Sequence, residues 1–183
     1  AARNANATVK IVEAFGSAAS PHAFSLISIA EQNLPIDFPE AAIVEANETK
    51  PLAIDTDAID ISARTDLRDI AFVTIDPADA RDHDDAVYAE PDTDPHNAGG
   101  YIAWVAIADV AAYVTPDSAM DKEAIRRGNS VYMPDRVVPM LPERLSNDLC
   151  SLREQEDRPC MAVRMQIDAQ GKKRTHKFVR GLM

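Results

Sequence analysis

The chain is poor in cysteine. It has two, Cys150 and Cys160, in 183 residues, which excludes a disulfide scaffold and a four-cysteine zinc site. Long apolar runs are missing as well: no stretch reaches the ~20 residues that a membrane-spanning helix needs. No basic-then-apolar leader opens the chain. There are no internal repeats and no low-complexity segments, so neither an array nor a biased tail organises it. Basic residues are outnumbered, with 19 Lys and Arg against 30 Asp and Glu and a formal charge of −11. That balance argues against a nucleic-acid binder that works through a basic surface alone. What is present is a hydrophobic fraction of 46%, enough for one good-sized core and too much for wholesale disorder.

The charge is unevenly spread. Residues 66–118 hold 12 acidic and two basic groups, whereas residues 119–183 hold nine acidic and 13 basic. An acidic block thus precedes a mildly basic one. A solvated face explains such a block in the simplest way. Metal binding is the sharper explanation, because clustered carboxylates repel one another unless a cation neutralises them.

Along the chain, Thr8 to Val12 alternates and reads as a short strand. Pro21 to Asn33 has helical spacing with Ser20 as N-cap, a second helix runs from Phe38 to about Asn47, and Asp55 to Ile61 reads as a further helical turn. From Asp66 the texture becomes β-rich. Strands are expected at Ile70–Ile75, at Ala86–Ala89 and at Tyr101–Ala108, the last so apolar that both its faces should be buried. Ser118 should cap a helix from Ala119 to Arg127 closed by Gly128. Val131–Pro134 reads as extended, Glu143–Leu149 as a helical turn, and Met161–Ile167 with Arg174–Val179 as a hairpin.

The informative stretch is Ile75-Asp76-Pro77-Ala78-Asp79-Ala80-Arg81-Asp82-His83-Asp84-Asp85-Ala86, with five aspartates in ten residues. A loop between two strand ends can bring such carboxylates together, and hard oxygen ligands suit Mg²⁺ or Mn²⁺. That donor set serves metal-assisted phosphodiester hydrolysis. Any one of these aspartates alone reads more readily as a turn former or cap, whereas the block as a whole is balanced between that and a metal site. A calcium loop of the EF-hand type does not fit, because its sixth and twelfth positions hold Arg81 and Val87 instead of Gly and an acid.

Asp76, Asp82, Asp84 and Asp85 together resemble the aspartate signature of the ribonuclease II/ribonuclease R (RNB) family. The resemblance continues in order through Ile107-Ala108-Asp109-Val110, Asp121-Lys122-Glu123-Ala124, Arg126-Arg127-Gly128, Ser130-Val131-Tyr132-Met133-Pro134, Val138-Pro139-Met140-Leu141-Pro142, Leu145-Ser146-Asn147 and Leu149-Cys150-Ser151-Leu152. It covers Asp66 to Met183, about two thirds of the chain. Residues 1–14 more faintly resemble the last strand of a cold-shock (OB-type) domain.

The resemblance implies a mixed α/β (α+β) fold: residues 66–183 as the first part of an RNB catalytic domain, with a mixed sheet and flanking helices, 15–65 as a helical linker, and 1–14 as the remnant of the preceding domain. It implies a longer protein of the cytoplasm, monomeric when whole, that degrades single-stranded RNA processively 3′→5′ to nucleoside 5′-monophosphates with Mg²⁺ or Mn²⁺. By the same analogy Asp76, Asp82 and Asp85 hold metal, Asp84 and Asp82 serve the chemical step, and Tyr132 contacts bases of the strand. The 183-residue chain alone is expected to be inactive and to self-associate through surface that the rest of the domain would cover. Two other readings stay open: a catalytically silent RNA-binding relative, and a metal-dependent phosphatase using the same aspartates.

The remaining residues read more plainly. His83 stands where an apolar residue is usual in the family, and alternation points it away from Asp84. Asp79 reads as a turn residue. Asp109 either supports the aspartate cluster from behind or begins the next turn. Cys150, Cys160 and Trp104 read as core, and His22, His96 and His176 as surface residues. Arg126, Arg127, Arg136, Arg144 and Arg153 either track a phosphate backbone or form a solvated basic face.

Overall fold

In this computed structural model, residues 10–17, 20–52 and 64–183 are described. A five-stranded sheet runs in the order β1 (Thr65–Asp66), β7 (Lys173–Leu182), β6 (Pro159–Ile167), β3 (Tyr101–Ala108), β2 (Asp85–Pro91). All neighbours are antiparallel except β1 and β7, so the sheet is mixed, as expected. Helices α2 (Glu40–Glu48) and α3 (Ala119–Arg127) pack into the core beside it, β4 (Val131–Met133) pairs with β5 (Arg136–Val138) as a separate hairpin, and α1 (Pro21–Glu31) bonds to that hairpin.

The core lies on one face of the sheet. Ala86, Ala106, Ala108, Ala162 and Cys160 present small, buried side chains there, and Met120, Leu145 and Leu149 pack down onto them. Small residues on the sheet let larger ones from the covering layer seat deeply without voids. α2 joins this layer through Glu45, whose carboxylate accepts from the first-turn amide of Met120 at 2.9 Å. Ser118 caps α3 by accepting from the Asp121 amide, and Gly128 ends it at φ +79°. Gly100, at the start of β3, has no room for a side chain: a Cβ there would sit 2.5 Å from the Ile167 carbonyl oxygen.

Several expectations are corrected. Ile70–Ile75 is not a strand. It touches β2 through a single bridge, Val73 to Val87, and leaves Ile75 84% exposed. β3 is buried on one face only. Ile102, Ala106 and Ala108 point to the core, while Tyr101 and Ile107 on the other face are about half exposed, beside exposed Met161 and Phe178. Central position in the sheet satisfied its backbone, but nothing among the described residues covers that second face. α1 ends at Glu31, with Asn33 in the left-handed region, and Ser20 makes no side-chain cap bond. The expected strand at Thr8–Val12 lies partly outside the described residues. Its described part, Lys10 to Val12, carries no strand, because no neighbour among the described residues hydrogen-bonds along it. The turn expected at Asp55–Ile61 lies outside the described residues. Trp104, Cys150 and Cys160 sit in or against the core, as read. Burial pushes the thiols up to about 12 and about 11 respectively, so both stay protonated and inert near neutrality.

Candidate active site on the aspartate loop

Residues 76–85 cross from the edge of the sheet into β2. The segment turns at Pro77–Ala80, where the Ala80 amide donates to the Pro77 carbonyl at 2.9 Å. It is then fixed at three points. Ser151, fully buried, accepts from the His83 amide at 3.1 Å and donates to the Arg81 carbonyl at 3.0 Å. The Leu152 amide donates to the His83 carbonyl at 2.9 Å, and the Ala108 amide to the Asp84 carbonyl at 2.9 Å. Asp85 then begins β2 opposite Ile107, and the fully buried Ala86 locks the register.

This path brings Asp76, Asp82, Asp84 and Asp85 to one cleft of ≈ 780 Å³, faced by Tyr132 and Arg136 from the β4–β5 hairpin. Tyr132 donates its hydroxyl to Asp82 at 2.7 Å. That bond, more than burial, pushes the phenol up to about 12. Asp76 meets the His83 ring nitrogen Nδ1 at 2.9 Å, and this bond holds its carboxyl below the ordinary range. Asp84 moves the other way. Partial loss of hydration, then repulsion from Asp82, Asp85 and Asp76, raise its carboxyl. It remains solvent-accessible in the cleft, so the desolvation is incomplete.

A divalent cation is the natural remedy for that repulsion, and four carboxylate oxygen donors fit a hard ion. The side chains are not gathered for it: among the described residues no three His, Cys, Asp or Glu side chains cluster closely enough to hold one ion. Asp76 and Asp82 are instead turned to His83 and Tyr132.

His83 touches the cluster through Asp76 alone: its ring bonds that carboxylate and lines the adjoining cleft, not the one that Asp84 lines. Asp79 sits at the turn, as read. Asp109 does not line the cleft; it begins the next turn, over Val110–Ala112, as the second of its two readings had it. It is buried and ion-paired with Arg64 at 2.7 Å and Arg180 at 3.1 Å, tying the end of β3 to β7 and to the residue preceding β1. The arginines divide. Arg126 and Arg127 are bound to buried Glu123, and Arg127 also lies 3.7 Å over the Phe38 ring, so this pair is structural. Arg136 lines the aspartate cleft, and Arg144 and Arg153 line an adjoining one. His22 is held by Asp135 at 2.6 Å, which fastens α1 to the β4–β5 turn. Ser151 was missed as a determinant of the loop. It lies within a motif quoted above, but nothing in its neighbourhood foretells which distant backbone atoms it meets.

Comparison with known proteins completes the picture. The model of the RNB domain matches residues 64–183. Ribonuclease R of Vibrio parahaemolyticus is 48% identical over 177 residues, 95% of this chain and 20% of that protein. Ribonuclease R of Acidithiobacillus ferrooxidans is 46% identical over 94% of this chain and 38% of its own length. Mycoplasma genitalium RNase R, solved with ribose-methylated single-stranded RNA, superposes with a TM-score of 0.79 at 34% identity, over 92% of this chain and 25% of that one. The chain thus spans between about a fifth and two fifths of the lengths of these relatives.

Proposed function

The chain belongs to the RNB family, and from that premise we propose that it is the aspartate-bearing part of an exoribonuclease that hydrolyses single-stranded RNA processively from the 3′ end to nucleoside 5′-monophosphates. The observation that carries the reading is the convergence of Asp76, Asp82, Asp84 and Asp85 on one cleft beside an aromatic ring. Asp76, Asp82 and Asp85 would hold Mg²⁺ or Mn²⁺. Such an ion, when bound, offsets the phosphodiester charge and acidifies the attacking water. Asp84, whose carboxyl is raised by loss of hydration and then by its acidic neighbours, and which lines the cleft between the other aspartates, is the carboxylate suited to receive a proton from that water. Tyr132, 63% exposed on its hairpin, offers a π-face on which any terminal base can stack, the sequence tolerance a processive enzyme needs. Its hydroxyl meanwhile orients Asp82.

The intact aspartate set favours a working enzyme over a silent RNA binder. Among the described residues no helix is long and apolar enough to cross a membrane; the cytoplasmic setting we assign rests on the family membership. The open outer face of the sheet, with Phe178, Tyr101 and Ile107, accords with self-association of the isolated chain and a monomer when that face is covered. Product analysis tests the activity: a protein carrying this chain within a whole RNB domain should shorten 3′-hydroxyl RNA one nucleotide at a time with release of 5′-monophosphates. Cleavage of small phosphoesters without RNA decay would favour a phosphatase and refute the proposal.

A further inference from the structure

A second cleft of ≈ 580 Å³ adjoins the first, sharing Ala80, Arg81, Glu143 and Asn147 with it. Its chemistry is the reverse of the aspartate cleft. Arg81, Arg144 and Arg153 line it together with His83, against the carboxylates of Glu143 and Asp148. Of the two carboxylates, only Asp148 is shared among several guanidiniums. It is paired with Arg144, with Arg153 at 3.2 Å, and with Arg158 at 3.9 Å. Arg81 has no hydrogen-bond or ion-pair partner for its guanidinium among the described residues. In a chain of net charge −11, this lining sets three guanidiniums against two carboxylates, and Arg81 is the guanidinium left unmatched.

The pocket is also held in shape. Arg81 and His83 come from the aspartate loop, and Arg153 from the segment after the Leu145–Leu149 turn. Ser151 joins the two segments through its bonds to the Arg81 carbonyl and the His83 amide, and Leu152 adds a backbone bond to the His83 carbonyl. Arg153 is steadied by a 2.6 Å bond to the Asn147 carbonyl. Planar guanidiniums carried on a backbone fixed in this way suit a tetrahedral oxyanion.

We infer that this cleft is a binding site for a phosphate monoester, the group a nucleoside 5′-monophosphate carries. A monoester presents three terminal oxygens to donors on several walls, where a phosphodiester presents two. The choice of nucleotide rests on the nuclease reading above. Arg81, on the wall shared by the two clefts, would then draw the released 5′-phosphate away from the aspartates and clear them for the next cleavage.

The test uses the 183-residue chain in EDTA, so that neither hydrolysis nor a metal bridge contributes. Adenosine 5′-monophosphate, inorganic phosphate, adenosine, and a hexanucleotide RNA with hydroxyls at both ends are titrated while amide and arginine Nε–H resonances are followed. Monophosphate and inorganic phosphate should shift Arg81, Arg144 and Arg153, and adenosine should not. Arg81→Gln and Arg144→Gln should each weaken monophosphate binding about tenfold, a loss of about 1.4 kcal/mol, with dispersed spectra reporting an intact fold. Lys177→Gln, away from the cleft, should bind normally. Equal binding of adenosine, shifts confined to the aspartates, or undiminished affinity in both arginine variants would overturn the inference. Displacement of the monophosphate by the hexanucleotide at matched phosphate concentration would assign the cleft to the strand's phosphodiesters and overturn it too. Because no turnover is read, failure here leaves the nuclease reading standing, and failure of hydrolysis leaves the binding result standing.

Discussion

Ser151→Ala is the substitution that best separates a fixed aspartate loop from a merely convenient one. Ser151 is fully buried, and its hydroxyl both accepts from the His83 amide and donates to the Arg81 carbonyl. Alanine fits the space, so no cavity larger than an oxygen atom results. What is lost is the acceptor of one backbone amide and the donor to one carbonyl. Leaving a partly buried backbone group unpaired costs about 1–3 kcal/mol. The Arg81 carbonyl has easier access to water, so we expect about 2 kcal/mol in all. For a chain of this length that lowers Tm by about 4–8 °C. Thermal unfolding and urea titration measure the global loss. Amide exchange locates it: His83 should exchange faster relative to core amides such as Ala106, because its bond is the one removed. A change below about 0.5 kcal/mol, with His83 exchange unaltered, would refute the claim that Ser151 holds the loop in place.

Other outcomes follow from the same geometry. Tyr132→Phe keeps the ring and removes the bond to Asp82. Freed from Tyr132, Asp82 can turn to an ion, so the metal concentration for half-maximal turnover should fall several-fold with RNA affinity spared, whereas Tyr132→Ala should also weaken RNA affinity, as metal and RNA titrations of turnover would show. Glu123→Gln should destabilise the fold by about 2 kcal/mol in urea, because the buried Arg127 loses its carboxylate and keeps only the Pro139 and Asp37 carbonyls and the Phe38 ring. Glu123 is held below its ordinary value of 4.5, chiefly by its bond to Arg126 and by that to Arg127. A depressed folded-state pKa gives stability that is complete above about pH 4.5 and lost as pH falls through the lower folded value. The wild-type chain should therefore lose stability more steeply than Glu123→Gln below pH 4.5. Parallel acid titrations of the two would contradict this.

Much of the fold could be read in advance, for reasons that lie in local chemistry. The α3 boundaries were legible because Ser118 and Gly128 supply the cap and the left-handed turn that any helix end requires. The β6–β7 hairpin was legible from two β-rich runs around Gly171, which takes φ +80°. Ile70–Ile75 misled because a run of β-branched residues indicates only that a segment fits a pleated surface, and this one has a single bridge to its neighbour. β5 was missed since Arg136-Val137-Val138 is three residues long and its strand state depends on pairing with β4. At the site, the aspartates stood out through their density. The partners that orient them did not: Tyr132, His83 and Ser151 meet their targets across 50, seven and about 70 residues of chain. Such distances carry no local signature. Asp109 was legible as the start of the next turn, but its ion pairs were not, since Arg64 and Arg180 lie far away on both sides.

The central claim is that the four carboxylates of this cleft carry out RNA hydrolysis. Asp84→Asn tests it most directly, because the amide is nearly isosteric and removes only the charge and the proton acceptor. It should be measured in a protein carrying this chain within a whole RNB domain, by single-turnover cleavage of a 3′-end-defined RNA alongside equilibrium binding of the same strand. The account predicts that cleavage falls by at least about 10³-fold, more than the 10²–10⁴-fold range of a single proton-transfer group at its lower end, while RNA affinity stays within a few-fold. Turnover retained near the wild-type rate would contradict it.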